Sequence, residues 1–149
     1  MPHVVSLALQ EWVHNLRLIN CSNIKDVNNL GSVHTLSLNG CYKIKDVNNL
    51  HSVNTLNLIK CNGIKDISNL HSVDTLNLYQ CKKIKDVGNL RKLKKIIINE
   101  KVYGLHLLRG LEELIIITEL CKEMKGEIIK LIPKKILIFR NISRNLQFL

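Results

Sequence analysis

Residues 33–50 read Val33-His-Thr-Leu-Ser-Leu-Asn-Gly-Cys41-Tyr-Lys-Ile-Lys-Asp-Val47-Asn-Asn-Leu50, and this stretch decides the fold because its pattern returns every twenty residues. Equivalent units begin at Val13, Val53 and Val73. Self-similarity at a fixed short period is typical of proteins built from stacked copies of one small structural unit.

Each unit has two halves with different apolar spacing. In the first half, Val33-x-x-Leu36-x-Leu38 alternates between apolar and polar positions, which predicts a short strand with one buried face. In the second half, Ile44, Val47 and Leu50 are three residues apart, which favours a tight 3₁₀ turn. Such a unit cannot bury its own apolar face, so neighbouring units must stack to form a common core.

The pattern resembles the leucine-rich repeat family, whose units read L-x-x-L-x-L-x-x-N/C-x-L. The resemblance covers roughly residues 13 to 118, with four consecutive units in register. Cys41-Tyr-Lys-Ile-Lys-Asp-Val47 is similar to the cysteine-containing subclass, shortened to twenty residues. The amino-acid sequence of the units is also similar to repeat arrays encoded by giant viruses of amoebae. The resemblance implies an α/β solenoid with a parallel, concave sheet of about six or seven strands and short return arcs.

The repeat pattern weakens toward both ends of the chain. Leu93 opens a fifth unit that lacks the cysteine and the aspartate, and Leu111 opens a sixth unit eighteen residues later. A helix is expected from Thr118 to Leu131, followed by a seventh strand over Lys135–Phe139. His3–Leu9 alternates like a degenerate first strand.

Atypical terminal units are expected to cap a stack. We therefore expect a single leucine-rich repeat domain over 1–149, with an N-terminal cap at 1–12, four regular repeats at 13–92, and degenerate repeats with a C-terminal cap at 93–149.

The repeat cysteines face inward and lie in a line: Cys21, Cys41, Cys61 and Cys81. Their Cβ vectors should be parallel, which disfavours disulfides, and a linear column disfavours a tetrahedral metal site. Reduced thiols and the lack of a signal sequence predict an intracellular protein, in the host cytoplasm if the chain is viral. No apolar run reaches the roughly 20 residues that a membrane helix needs.

Other repeated polar residues are best explained by structure. Each unit has an aspartate before the return turn, where a carboxylate can accept backbone amide hydrogens: Asp26, Asp46, Asp66 and Asp86. Because these positions are copies of one environment, they do not offer the two distinct carboxylates that acid–base catalysis needs. His14 and His34 share a column with Asn54 and Asp74 and could approach each other as metal ligands, but an ordinary polar rim is favoured.

No nucleophile–base pair, phosphate-binding loop or metal-spaced cluster occurs in the sequence, so we expect no enzyme activity, no cofactor and no metal. A noncatalytic module that binds a protein partner is favoured. Its partner would be a host protein if the viral resemblance holds.

The formal charge of +10 is uneven. Residues 91–149 carry thirteen Lys and Arg against six Asp and Glu, whereas residues 1–90 carry nine against six. Arg91, Lys92, Lys94 and Lys95 form the densest basic stretch. Nucleic-acid or acidic-surface binding through this basic third is therefore the alternative function.

Outward-facing strand positions vary between units while the apolar positions do not. Ile59 and Tyr79, flanked by Asn57 and Asn77, combine apolar and hydrogen-bonding groups as protein interfaces do. We predict that the partner binds the concave face of the sheet through these residues: Arg17, Ser37, Asn39, Asn57, Ile59, Asn77, Tyr79, Lys95, Ile97 and Asn99.

Overall fold

The structure, a computed structural model of the 149-residue chain, describes residues 13–99 and 102–117 and the backbone of a strand at 137–140. Seven parallel strands form one sheet in chain order. They are β1 (Asn15–Arg17), β2 (Thr35–Ser37), β3 (Thr55–Asn57), β4 (Thr75–Asn77), β5 (Lys95–Ile98), β6 (Glu113–Ile117) and β7 (Leu137–Arg140). The predicted parallel solenoid of six or seven strands is confirmed.

The register of the sheet follows the repeat. Leu36 pairs with Leu16 on one side and with Leu56 on the other, so equivalent residues lie on adjacent rungs. Between β5 and β6 the register step shortens, because Ile96 pairs with Leu114. The leucines of β1 to β4 lie on the core side, and the intervening residues lie on the opposite side of the sheet, which we call the concave face.

The return arcs contain the tight turns that the three-residue spacing predicts. The amide of Leu50 donates to the carbonyl of Val47 over 3.1 Å, and the corresponding bonds close the arcs at Leu30, Leu70 and Leu90. The first arc is a 3₁₀ helix at Asn28–Leu30, and a second 3₁₀ helix lies at Leu105–Leu107 in the fifth unit.

A turn between each strand and its cysteine requires the left-handed backbone region. The residue before each repeat cysteine has a φ of 54° to 72°: Asn20, Gly40, Lys60 and Gln80. Glycine and asparagine adopt this conformation readily, whereas for other residues it costs about 1–2 kcal/mol of conformational free energy. Stacking of the units therefore forces Lys60 and Gln80 into this backbone conformation.

The fourth and fifth arcs are joined by two backbone hydrogen bonds. The amide of Tyr103 donates to the carbonyl of Lys85, and that of Val87 donates to the carbonyl of Tyr103. A Cβ at Gly104, whose φ is +83°, would lie 2.5 Å from the Cα of Gly88. Two glycines thus permit the contact at which the shortened fifth unit joins the regular array.

One aliphatic core runs through the described units, built from the strand leucines, the repeat cysteines and the apolar residues of the arcs. Among the described residues, no helix is long and apolar enough to cross a membrane. The expected helix over Thr118–Leu131, the expected strand at His3–Leu9 and the first two residues of Lys135–Phe139 lie outside the described residues.

Candidate functional site

The buried thiols connect consecutive units from inside the core. Cys61 Sγ donates to the carbonyl oxygen of Leu38 over 2.8 Å, and Cys81 Sγ donates to that of Leu58 over 2.7 Å. Burial raises the pKa of Cys61 to about 12 and that of Cys81 to about 11. These protonated thiols are poor nucleophiles and poor metal ligands, so the column is structural.

The repeated aspartates are also committed to the backbone. Asp46 Oδ1 accepts the amide hydrogen of Asn48 over 2.9 Å, and Asp66 Oδ1 accepts that of Ser68 over the same distance. The pKa of Asp66 is lowered mainly by its bonds from Ser68, because they stabilise the charged carboxylate. Within the described part of the chain, no group of three or more His, Cys, Asp or Glu side chains could hold a metal ion.

The concave face offers its most accessible predicted residues along the first four strands. Arg17 is exposed, and Asn39, Ile59 and Tyr79 are half-buried. Ile59 and Tyr79 follow β3 and β4 at equivalent positions, so they lie on neighbouring rungs about 4.8 Å apart. They form an apolar pair that remains partly open to solvent.

The asparagines beside this pair hold the backbone that carries it. Asn57 Oδ1 accepts the amide hydrogen of Ile59 over 3.2 Å, and Asn77 Oδ1 accepts that of Tyr79 over 3.0 Å. Asn99 Oδ1 accepts the amide hydrogen of Gln80 over 2.6 Å. In earlier units a backbone carbonyl takes that role, so Asn99 replaces it where the repeat pattern breaks.

Several predicted site residues are less accessible than the alternation of the sequence suggested. Ser37 is 8% exposed and Asn77 is 5% exposed. Lys95 is paired with Glu113 on the next strand, with Nζ 2.8 Å from Oε2. Fewer residues of the concave face are therefore accessible than the ten that the sequence predicted.

Ile97 differs most from the expectation of an open surface. It is 5% exposed and belongs to a second apolar cluster with Ile115 and Ile117, against which Tyr79 packs. Alternation correctly put Ile97 opposite the main core, but a pattern cannot show what else covers a face. Tyr79 therefore lies at the boundary between the open and the buried parts of the concave face.

A further set of concave-face residues was not predicted from the sequence. The threonines that begin β2, β3 and β4 are half-buried and lie two residues before Ser37, Asn57 and Asn77: Thr35, Thr55 and Thr75. Their even spacing from those residues was the available signal, because residues two apart in a strand share a face. They add a hydroxyl column beside the Ile59–Tyr79 pair.

Comparison with solved structures agrees with this architecture. The chain is similar to internalin C2 from Listeria monocytogenes, with a TM-score of 0.54 and 20% identity, over 85% of this chain and 60% of that protein. It also matches internalin F from the same organism, with a TM-score of 0.48 and 19% identity, over 93% of this chain and 46% of that one. This chain thus spans less than two thirds of either structure.

No protein-family model matches the chain, and no curated protein sequence is similar to it. At 20% identity, the likeness to internalin C2 shows the fold and nothing more. The chain therefore has the leucine-rich repeat fold.

Proposed function

We propose that this chain is a noncatalytic interaction module that binds a protein partner through the concave face. The observation that carries the proposal is the Ile59–Tyr79 pair, half-buried on adjacent rungs and fixed by the Asn57 and Asn77 side chains. Because these bonds hold the backbone that carries the pair, little backbone entropy is lost on binding. Tyrosine also combines ring area with a hydroxyl, which makes it frequent among residues that dominate binding energy.

The basic residues support a nucleic-acid partner less well. Lys95 is paired with Glu113, and Lys94 Nζ lies 3.7 Å from Glu112 Oε1, so neighbouring carboxylates offset part of this charge. We therefore favour the concave face over the basic C-terminal third.

We also propose that the partner is an intracellular protein, and a host protein in the cytoplasm if the chain is viral. Two features support this extension: the amino-acid sequence of the repeats resembles arrays encoded by giant viruses of amoebae, and the four described repeat cysteines are free thiols. A pull-down from amoebal cytoplasm would identify the partner. A partner found only among secreted proteins would contradict this extension and leave the concave-face proposal intact.

Substitution of two tyrosines tests the proposed face once a partner is known. Tyr79→Ala should weaken binding by more than about 1 kcal/mol, or roughly fivefold, because it removes the anchor. Tyr42→Ala is the matched control, since Tyr42 is 53% exposed on the opposite arc and should leave the affinity unchanged.

The same titrations at two salt concentrations separate the two functions. Duplex binding through phosphate contacts would lose roughly 0.9 log units of affinity per contact for each tenfold rise in salt. A steep salt dependence with no effect of Tyr79→Ala would favour the basic third and contradict the concave-face proposal.

A further inference from the structure

Two histidines of consecutive units lie in contact at the entry to the sheet. His14 and His34 occupy equivalent positions just before β1 and β2, and the amide of His34 donates to the carbonyl of His14 over 3.1 Å. Their rings stack with centroids 5.1 Å apart and planes 19° from parallel. Their Nδ1 atoms are only 3.1 Å apart, and both side chains are exposed.

We propose that His14 and His34 form a two-histidine chelate for a late first-row divalent cation of the Zn²⁺, Ni²⁺ and Cu²⁺ class. Imidazole nitrogens are favoured ligands for these ions, at distances of about 2.0–2.1 Å. An Nδ1–Nδ1 separation of 3.1 Å then corresponds to a nitrogen–metal–nitrogen angle of about 100°. This angle lies between the square-planar and tetrahedral values.

The backbone already provides most of the organisation that a chelate needs. Each histidine precedes a strand held in a parallel ladder, and the ladder fixes the two Cα atoms one rung apart. Only the side-chain torsions have to adjust, and the last torsion of histidine has a broad energy well. Because both rings are exposed, they can rotate to point their lone pairs at one ion.

The proton balance of binding is simple. In the metal-free pair, the Nδ1–H of one neutral ring can donate to the Nδ1 lone pair of the other. Binding requires both Nδ1 lone pairs, so the shared proton moves through solvent to Nε2 of its own ring. Two neutral imidazoles thus ligate the cation without net proton release.

Among the described residues, the rest of this column offers no third imidazole. Asn54 continues the column, but it supplies no imidazole. Its side-chain nitrogen Nδ2 donates to the carbonyl of Ser72 over 3.3 Å. With two ligands from the described part of the chain, the other positions would be filled by water or by a side chain of a bound partner. The site is therefore suited to an exchangeable ion rather than to a closed structural one.

A second histidine pair provides an internal control. His51 and His71 are also one repeat apart and exposed, and their amides donate to the carbonyls of Asn49 and Asn69. Among the described residues, their rings make no contact with each other. Equal spacing along the chain therefore does not by itself bring two rings together.

Calorimetric titration of the full chain with NiCl₂ and with ZnCl₂, under a non-chelating reductant, tests the site. His14→Ala and His34→Ala should each lower the affinity at least about tenfold, because loss of a ligand costs at least as much as loss of a residue that only orients one. The double variant His51→Ala/His71→Ala should bind like the wild type. Circular dichroism checks that each variant is folded, and asparagine at the same position replaces any alanine that prevents folding.

Histidine-ring NMR spectra assign the ion to residues. Zn²⁺ should shift the ring signals of His14 and His34 and leave those of His51 and His71 in place. The proposal is wrong if the wild type does not bind, if both histidine pairs matter equally, or if binding survives in His34→Ala and disappears on thiol alkylation. The last result would assign the ion to a cysteine.

Discussion

At the residue scale, the thiol of Cys61 shows how one atom contributes both packing and a hydrogen bond. Its side chain is 0% exposed, and its Sγ bonds to a carbonyl of the preceding unit. The same position at the start of the array, Cys21, is only half-buried, and its Sγ contacts the carbonyl of its own unit at Ile19. Burial and the bond to the preceding unit therefore distinguish Cys61 from Cys21.

Cys61→Ala should lower the free energy of unfolding by roughly 1–3 kcal/mol at pH 8, because it leaves a small cavity and removes the bond to Leu38. Cys21→Ala should cost clearly less. Denaturant unfolding of both variants measures the difference. Equal losses at the two positions would contradict the burial argument.

The cost of Cys61→Ala should also shrink at alkaline pH. The unfolded thiol ionises near its ordinary pKa of 9.0, whereas the folded one does so at about 12, so the wild type loses stability as pH rises between these values. At pH 10 the wild type should have lost about 1.4 kcal/mol through this thiol, and the variant none of it. Unfolding curves at pH 8 and pH 10 test this, and a constant difference between the proteins would refute it.

At the scale of the element, strand and arc are joined by two turns of different chemistry. In the four regular units, the turn before the arc uses an aspartate carboxylate that accepts a backbone amide hydrogen, as Asp66 does from Ser68. The turn after the strand in these units instead uses a left-handed residue such as Lys60. The first turn has a suitable residue in every regular unit, whereas the second has a glycine only at Gly40.

Asp66→Ala should destabilise the array by about 0.5–1 kcal/mol near neutral pH, since it removes the acceptor for the Ser68 amide. Asp66→Asn keeps an oxygen acceptor and should cost less. The folded pKa of Asp66 is lowered, so its contribution is present above the unfolded pKa and is lost as pH falls through the folded one. In thermal unfolding, the Ala penalty should therefore be smaller near pH 2 than at pH 7.

Lys60→Gly should raise the stability by about 0.5–1 kcal/mol, because glycine adopts a φ of 61° without the steric cost that lysine pays. Lys65→Gly is the control: Lys65 is exposed on the arc and is not among the residues with positive φ, so its replacement should be neutral or destabilising. Chemical denaturation of both variants provides the measurement. An equal change in the free energy of unfolding in both variants would contradict the proposed strain at Lys60.

At the scale of the whole molecule, the sequence predicted what depends on periodicity. The strands, their order and the one-rung register follow from the recurring Leu36 and Leu38 positions. The sequence did not predict the burial of Ile97 beside Ile115, which depends on what else covers that face. It placed His14 and His34 in one column where they could approach each other, but it did not predict that their rings stack. Nor did it reveal left-handed residues where lysine or glutamine replaces glycine, because the stack imposes that conformation.

The same limit applies to the candidate site. Alternation placed Ile59 and Tyr79 on the concave face, and repeat spacing placed them on neighbouring rungs. Their fixation by Asn57 and Asn77 depends on side-chain rotamers that no pattern reports. Lys95 and Asn99 are engaged by Glu113 and by the Gln80 amide, so an outward position alone does not make a residue available to a partner.

The central claim is that a protein partner contacts the concave face near Tyr79, and site-specific photo-cross-linking tests it most directly. A benzophenone amino acid would replace Tyr79 in one protein and Tyr42, on the opposite arc, in another, so that both carry the same probe. With the partner obtained from cytoplasm and bound to each protein, irradiation should yield a cross-linked adduct from position 79 and none from position 42. Cross-linking from position 42 alone would contradict the account.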